Sequence, residues 1–369
     1  MDFDFTEDQE SLRDAVRRWV DKDYDFHRRH ASVKAGGFSR AAWDGLVGLG
    51  LTGLAVPEAH GGLGFGAVDA MVVMEELGRG IVMEPYAQAG LIAPTVLLQA
   101  SEAVQAEWLP KIAGGEAMIV LALQERGARY DLSKVNATVA DGQLTGHKSL
   151  VAAGDQADAF IVPALADGGL ALFLVERGAA GVTTRPYSLQ DGSRAADVTF
   201  AASPATLLVG SDRGLDVLEL AVDVGIAALC AEGVGAMEKL VAITADYMNT
   251  RKQFGVAISS FQALRHRMAD VKMQLELARS MSYFATLKLG EPPEARRLAL
   301  SQAKLQLGHS MRYVGQQCTQ LHGGIGVTDE YISSHYFKRL TTMEMQFGDS
   351  LHHLGEVSRR MQDTAGVFA

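Results

Sequence analysis

The chain has 369 residues and a mass of 39.5 kDa, a length that predicts two or three domains, each with its own apolar core. Its 48% hydrophobic and 21% charged residues are typical of a globular protein and exclude a mainly disordered or collagen-like chain. The 34 Lys and Arg residues against 44 Asp and Glu residues give a net charge of −10, and no segment gathers a basic stripe. We therefore expect no nucleic acid partner.

The two cysteines, Cys230 and Cys318, lie in apolar helical sequence without the CxxC or Cys/His spacing of a zinc site. They predict two buried reduced thiols in a cytoplasmic protein, with neither a disulfide framework nor a metal site. The first ten residues, MDFDFTEDQE, lack the basic and apolar regions of an export signal, and acidic residues interrupt the most apolar helices. We expect no export signal and no membrane span.

The first 116 residues have the spacing of packed helices. Thr6 and Gln9 form a capping box ahead of Leu12, Val16 and Trp19, which recur on one helix face. A glycine-rich loop, VPEAHGGLGFG, separates later helical segments. This pattern predicts an N-terminal helical domain over residues 1–116.

Residues 117–212 change to short apolar runs, MIVLAL, AFIVPAL and LALFLVE, separated by turn signals such as ADG and DGG. They predict a middle β domain, a small barrel or sandwich. From residue 213 to 369 the pattern is helical again. Its clearest seam steps by three and four residues along the apolar positions Phe261, Leu264, Met268, Val271, Leu275 and Ala278. The last part is therefore predicted to be a C-terminal helical bundle.

Two short motifs stand at the ends of long predicted helices: RKQFG at 251–255 and QLHGGIGVTDEY at 320–331. An arginine at a helix end can present its guanidinium group to a phosphate. A Gly-Gly pair after a helix lets a ligand approach the backbone closely. Each motif alone is equally typical of an ordinary helix end, and the two gain specificity from occurring together behind a helical and a β domain.

With WLPKIAGGE, VPEAHGGLG and MEELGRG, these motifs resemble the acyl-CoA dehydrogenase family over residues 6–354. Within it, RYDL, HYFKRLT and FGDSLHHL are similar to the small subunits of pimeloyl-CoA dehydrogenases. The resemblance implies a mainly α fold with an N-terminal helical domain, a middle β-barrel and a C-terminal four-helix bundle, assembled as a tetramer. It also implies FAD as cofactor, an acyl-CoA substrate desaturated between its α and β carbons, and an electron-transfer flavoprotein as electron acceptor.

Half of the flavin site implied by the resemblance is present. The positions that family members donate to the FAD of a neighbouring subunit match Arg251, Gln253, Phe254, Gln320, Gly323 and Gly324. On the side of the flavin ring the chain departs from the family. The loop T-E-P-x-x-G-S-D is replaced by QERGARYD and W-I-T-N by LVAA, so that Gln124 and Ala152 stand where hydroxyl groups are expected.

The catalytic base implied by the resemblance is missing. The usual glutamate aligns with Phe347, or with Gly348 after a shift of one residue, and the alternative position on the preceding long helix aligns with Gly225. Asp349 is a weak substitute, because a cap or solvated turn is the commoner role for such a residue. Ile226 replaces the arginine that commonly holds CoA.

Three hypotheses follow. The chain is the small subunit of a heteromeric acyl-CoA dehydrogenase, paired with a large subunit that owns the base. Alternatively, it is a self-sufficient homotetrameric dehydrogenase with a non-standard base, or a flavin-free scaffold of the same fold. A related flavin enzyme that acts on another substrate is a further alternative, for which the absent CoA arginine is the only indication.

Overall fold

The computed structural model describes residues 5–364, with the backbone alone for 362–364. The described chain groups into two compact units. The bundle unit holds residues up to 26, 71–82 and from 226 onward, and the sheet unit holds residues 27–70 and 83–225. Neither unit is continuous in sequence, so the division into 1–116, 117–212 and 213–369 stays a prediction.

Helices form the first and last parts of the chain. They are α1 (Glu7–Asp23), α2 (Phe26–Lys34), α3 (Arg40–Gly48), α4 (Ala67–Arg79), α5 (Ala93–Leu97), α6 (Glu102–Ala113), α7 (Gly214–Thr250), α8 (Gln262–Lys288), α9 (Pro293–His322), α10 (Ile332–Met345) and α11 (Ser350–Thr364). The capping box of Thr6 and Gln9 begins α1 as predicted. Among residues 5–364, no helix combines the length and apolar character needed to cross a membrane.

Strands form the middle of the chain. They are β1 (Ile119–Leu121), β2 (Thr138–Ala140), β3 (Gln143–Ala152), β4 (Ala159–Ala166), β5 (Gly169–Glu176), β6 (Val182–Ser188), β7 (Arg194–Pro204) and β8 (Thr206–Val209), followed by the short pair β9 (Lys252–Gln253) and β10 (Val256–Ala257). The first eight strands make one sheet in the order β6-β7-β3-β2-β4-β5-β8, with β1 also paired to β4. The order helices, sheet, helices confirms the predicted fold class.

The predicted turn signals connect neighbouring strands of this sheet. Asp141 and Gly142 join β2 to β3 with φ of +50° and +71°, and Asp167 and Gly168 join β4 to β5 with φ of +50° and +82°. Two successive residues with positive φ are the hairpin geometry that matches strand twist. These turns therefore set the register of the sheet that carries the flavin-facing loops implied by the resemblance.

Helix α9 occupies the centre of the bundle unit and packs against α8, α10 and α11. Its buried face follows the helical repeat through Leu300, Leu307, Met311, Val314, Cys318 and Leu321. The seam predicted on α8 is also packed: Val271, Leu275 and Ala278 are buried. Burial of these two stripes fixes α9 along its length, and with it the turn that follows its last residue.

Helices α4 and α7 approach each other closely within the bundle unit. A Cβ atom on Gly78 would lie 2.0 Å from the carbonyl oxygen of Glu232, and one on Gly235 would lie 1.8 Å from that of Glu75. Distances this short cannot be relieved by side-chain rotation, because the neighbouring atoms are backbone. Glycine at both positions is therefore required for this helix contact.

We predict that Gly78→Ala lowers the free energy of unfolding by about 1–3 kcal/mol, because α4 and α7 must move apart to admit the methyl group. Urea unfolding measured by circular dichroism checks this. Gly290→Ala is the control, since a Cβ there meets no atom within 4 Å. An equal effect of both substitutions would contradict the close approach of the two helices.

Candidate cofactor and proton-transfer site

The ends of α7 and α9, which carry the two motifs, meet in the bundle unit. Met248, Ile258 and Leu321 form a small buried cluster. Beside it, the rings of Tyr247 and His322 lie with their centroids 4.6 Å apart. These apolar and stacking contacts bring the segments around residues 251 and 320 together, although about seventy residues separate them in sequence.

The segment after α7 folds into the hairpin of β9 and β10. Gln253 pairs with Val256, and Phe254 and Gly255 form the turn with φ of +53° and +83°. The side chains of Arg251 and Gln253 are exposed, and Phe254 is 91% exposed. An aromatic ring held almost entirely outside its own fold, beside an exposed guanidinium group, is suited to contact with another molecule that carries both a ring and a phosphate.

The end of α9 presents its backbone in the same way. Gly323 ends the helix with φ of +64°, and Gln320, Gly323 and Gly324 are exposed. No described atom lies within 4 Å of a Cβ built on either glycine, so the surface there is open to a ligand. His322, in contrast, is buried, and its Nδ1 atom bonds the carbonyl oxygen of Cys318 at 2.8 Å. The set offers a cation, amide groups and an accessible backbone, which suit a diphosphate.

The turn between α10 and α11 carries the positions aligned with the catalytic base. Phe347 has φ of +57° and is half-buried, whereas Gly348 has φ of +115° and is buried. A Cβ atom on Gly348 would lie 2.6 Å from Nε2 of His353. Neither position offers a carboxylate, and a side chain at Gly348 has no room.

A buried lysine donates hydrogen bonds to the backbone of this turn. Lys304, on α9, has no exposed surface, and its Nζ atom donates to the carbonyl oxygens of Glu344 at 2.8 Å and Gly348 at 2.9 Å. Nε2 of His353 donates to the carbonyl oxygen of Phe347 at 3.1 Å. Burial lowers the pKa of Lys304 to about 8. Burial, reinforced by the Lys304 ammonium, lowers the pKa of His353 to about 3, so its imidazole is neutral at pH 7.

Three carboxylates of the bundle unit, two of them next to this turn in sequence and one on α7, hold structural contacts. Asp349 accepts the backbone N–H of His352 at 2.8 Å and so caps α11. Glu344 accepts both the N–H and the hydroxyl group of Ser350. Glu232, on α7, is buried and accepts Nε of Arg339 at 2.7 Å. Each of the three carboxylates is therefore engaged in a helix cap, a turn or an ion pair through one of its oxygens.

On α7, Gly225 and Ile226 are both buried. The first has no side chain and the second is aliphatic. The alternative base position and the aligned CoA-arginine position therefore carry neither a proton acceptor nor a cation.

In the sheet unit, the loop that contains Gln124 lies beside β3, which ends at Ala152. The carbonyl oxygen of Gln124 accepts the N–H of Ser149 at 2.8 Å, and Ala152 pairs with Ala195 across β3 and β7. The N–H of Leu150 donates to the hydroxyl oxygen of Tyr187 at 3.0 Å. The structure thus brings the Gln124 loop and the end of β3 together, and neither Gln124 nor Ala152 has a side-chain hydroxyl group.

A buried ion pair anchors the first of these loops. Nζ of Lys148 lies 2.6 Å from a carboxylate oxygen of Glu125 and also donates to the carbonyl oxygen of Pro163. Burial alone would raise the pKa of Glu125, but hydrogen bonds from Lys148 and from the N–H groups of Asn136 and Ala137 outweigh it and lower that pKa. The pair fixes the loop and is shielded from solvent.

Three residues of this site went unrecognised in the sequence: Lys304, His353 and Tyr187. Lys304 had a signal, because it occupies the position between Leu300 and Leu307 on the otherwise apolar stripe of α9. His353 and Tyr187 had none, since each bonds a backbone group, the carbonyl of Phe347 and the N–H of Leu150, that a residue pattern does not reveal.

We predict that the stability difference between the wild type and Lys304→Met depends on pH. Below about pH 8 both the folded and the unfolded chain hold the proton on Lys304, and the cost of burying the ammonium is fully present. Between about pH 8 and about pH 10.4 the folded chain has lost the proton of Lys304, whereas the unfolded chain still binds it. The contribution of Lys304 to the free energy of unfolding therefore increases by about 2 kcal/mol between about pH 7 and about pH 10.

Urea unfolding of both proteins at several pH values measures this difference. Lys288→Met is the control, because the ammonium group of Lys288 is partly exposed to water in the folded chain. A difference that stays constant with pH would show that the Lys304 ammonium is not buried against the two carbonyl groups.

The chain is similar to known proteins over nearly its whole length. Residues 6–116 match the family model of the acyl-CoA dehydrogenase N-terminal domain, and residues 212–362 match that of the C-terminal domain. Acyl-CoA dehydrogenase FadE27 of Mycobacterium tuberculosis is 28% identical over 99% of this chain and 100% of its own length. The crystal structure of the ChsE4-ChsE5 complex from M. tuberculosis contains a chain 26% identical to this one, with a TM-score of 0.88 and coverage of 99% and 100% of the two chains.

A solved variant of the Tcur3481-Tcur3483 steroid ACAD is 27% identical, with a TM-score of 0.87 and coverage of 97% of this chain and 99% of its own. In sequence, the two matched segments come before and after the strands of the β sheet, and together they include most of the described residues. FAD is the cofactor of the family, and a tetramer is its typical assembly. The chain belongs to the acyl-CoA dehydrogenase family of flavoprotein oxidoreductases.

Proposed function

We propose that this chain is the companion subunit of a heteromeric acyl-CoA dehydrogenase. In this role it contributes the exposed groups of the α7 and α9 ends to FAD held mainly by a partner chain that owns the catalytic base. The observation that carries the proposal is the turn at 347–349, where one aligned position is a phenylalanine, the other is a glycine without room for a side chain, and the adjacent Asp349 caps α11.

The exposed groups at the ends of α7 and α9 support the same role. Arg251 and the exposed glycines after α9 suit the diphosphate of FAD, and the 91% exposure of Phe254 leaves its ring accessible to a ligand held by another chain. When bound, FAD accepts the hydride from the β carbon of the acyl-CoA thioester. The part of this chain is then to bind and orient the cofactor, while a carboxylate of the partner removes the α proton and an electron-transfer flavoprotein receives the electrons.

Two of the similar proteins are described by paired names, the ChsE4-ChsE5 complex and Tcur3481-Tcur3483. These names agree with a heteromeric assembly for this chain. The likeness to pimeloyl-CoA dehydrogenase small subunits adds pimeloyl-CoA to the acyl-CoAs that deserve testing.

The second candidate function is a self-sufficient dehydrogenase with Asp349 as base, favoured only by the position of Asp349 beside the aligned residues. The chain expressed alone with excess FAD, mixed anaerobically with saturated acyl-CoAs including pimeloyl-CoA, separates the two functions. We expect no bleaching of the flavin absorbance. Bleaching that is lost in Asp349→Asn would establish the second candidate and overturn the first.

We predict that Arg251→Ala weakens FAD binding by about tenfold or more in a complex of this chain with a family member that keeps the glutamate, because a charge-assisted contact to phosphate is lost. FAD affinity of the purified complex is measured by fluorescence. Arg312→Ala is the matched control, since Arg312 is also exposed but lies within α9, away from both motifs. Equal affinities of the two variants, or failure of the chains to associate, would count against the proposed function.

A further inference from the structure

The segment of the sheet unit around residues 149–154 has few groups left to offer a ligand. Its side chains from Leu150 to Ala153 are aliphatic. Its backbone donors are largely taken by the chain itself: the N–H of Ser149 bonds Gln124, that of Ala153 bonds Arg194, and that of Gly154 bonds Val151, each through a carbonyl oxygen at 2.8–3.1 Å. A ligand that needs hydrogen bonds from this segment must compete with bonds already formed.

Leu150 differs from these residues, because its N–H is engaged by a side chain. It donates to the hydroxyl oxygen of Tyr187 at 3.0 Å, and Leu150 has φ of +55° and is 50% exposed. Without the tyrosine hydroxyl group, this outward amide would be available to a flavin ring. The hydroxyl oxygen of Tyr187, on β6 at one end of the sheet, accepts this amide N–H instead.

A third residue fixes the tyrosine in place. The hydroxyl group of Tyr187 donates to a carboxylate oxygen of Asp197 at 3.0 Å while it accepts the N–H of Leu150. Burial, together with the carboxylate of Asp197, raises the pKa of Tyr187, which keeps the hydroxyl group protonated and able to donate. Because Tyr187 and Asp197 lie on the paired strands β6 and β7, the sheet itself sets this geometry.

We propose that Tyr187 is a specificity-determining residue that closes this edge of the sheet unit to a flavin ring, so that the chain donates contacts to FAD on another chain without holding a flavin ring of its own. The inference deepens the proposed function and rests on it. It assigns a cause to the one-sided flavin site: the outward amide is bonded within the chain, in addition to the missing hydroxyl groups.

A double-mutant cycle tests the proposal with riboflavin, which carries the ring without the diphosphate and adenosine. Tyr187→Phe frees the Leu150 amide, and Ala152→Thr restores a hydroxyl group at the position where the family has threonine. Affinity is measured from the quenching of riboflavin fluorescence. We expect the double variant to bind at least about tenfold more tightly than the wild type or Ala152→Thr alone, since one hydrogen bond to a neutral group contributes about that factor.

Hydrogen exchange measured by mass spectrometry on peptides covering residues 146–154 gives a second readout. We expect faster exchange in Tyr187→Phe than in the wild type, and no change in Tyr313→Phe, which removes the same hydroxyl group from α9 in the other unit. Equal riboflavin affinity in all members of the cycle, whether measurable or absent, would overturn the proposal, as would unchanged exchange in Tyr187→Phe.

The two proposals fail in different experiments. If the wild-type chain binds riboflavin as tightly as the double variant while Arg251→Ala still weakens FAD in the complex, the closure by Tyr187 is wrong and the companion role stands. If riboflavin behaves as expected but Arg251→Ala has no effect in the complex, the companion role is wrong.

Discussion

The ammonium group of Lys304 lies inside the bundle unit and donates hydrogen bonds to the carbonyl oxygens of Glu344 and Gly348. Removing an ammonium group from water costs free energy, and neither group that accepts its hydrogen bonds here is a carboxylate. The cost is acceptable only because two carbonyl groups of one turn converge on it, the first of them in the last turn of α10, where the helix dipole is negative. The positions of Phe347, of the cap Asp349 and of the start of α11 all depend on this contact.

The same chain therefore carries two kinds of surface. Around Arg251 and Phe254 polar and aromatic side chains are exposed, as expected of a region that meets a ligand or another chain. Around Leu150 the capacity is spent within the chain, through Tyr187. The fold of the acyl-CoA dehydrogenase family thus carries, in this chain, one exposed segment around Arg251 and Phe254 and one partly exposed segment around Leu150 whose outward amide is bonded within the chain.

Most helices, the hairpins and the exposed motifs could be predicted from the sequence, and the contacts that could not be predicted share one cause. Periodic stripes predict the helices, and Asp-Gly pairs predict the hairpins, because both signals are local. The exposed motifs at 251 and 320 could also be located. The contacts of Lys304 and Tyr187 could not, since their partners are backbone groups 40 and 37 residues away, and a carbonyl or amide group carries no residue identity. Such contacts emerge only when the strands and helices are placed in space.

The geometry at Gly348 also bears on how the protein can change over evolutionary time. Phe347 already adopts a left-handed backbone conformation as a non-glycine residue, so another side chain, glutamate included, is compatible with the backbone there. At Gly348 the backbone is strained for any side chain, and the imidazole of His353 fills the space that a Cβ would need. One substitution at 347 could therefore place a carboxylate in this turn, whereas at 348 the neighbouring imidazoles would have to change as well.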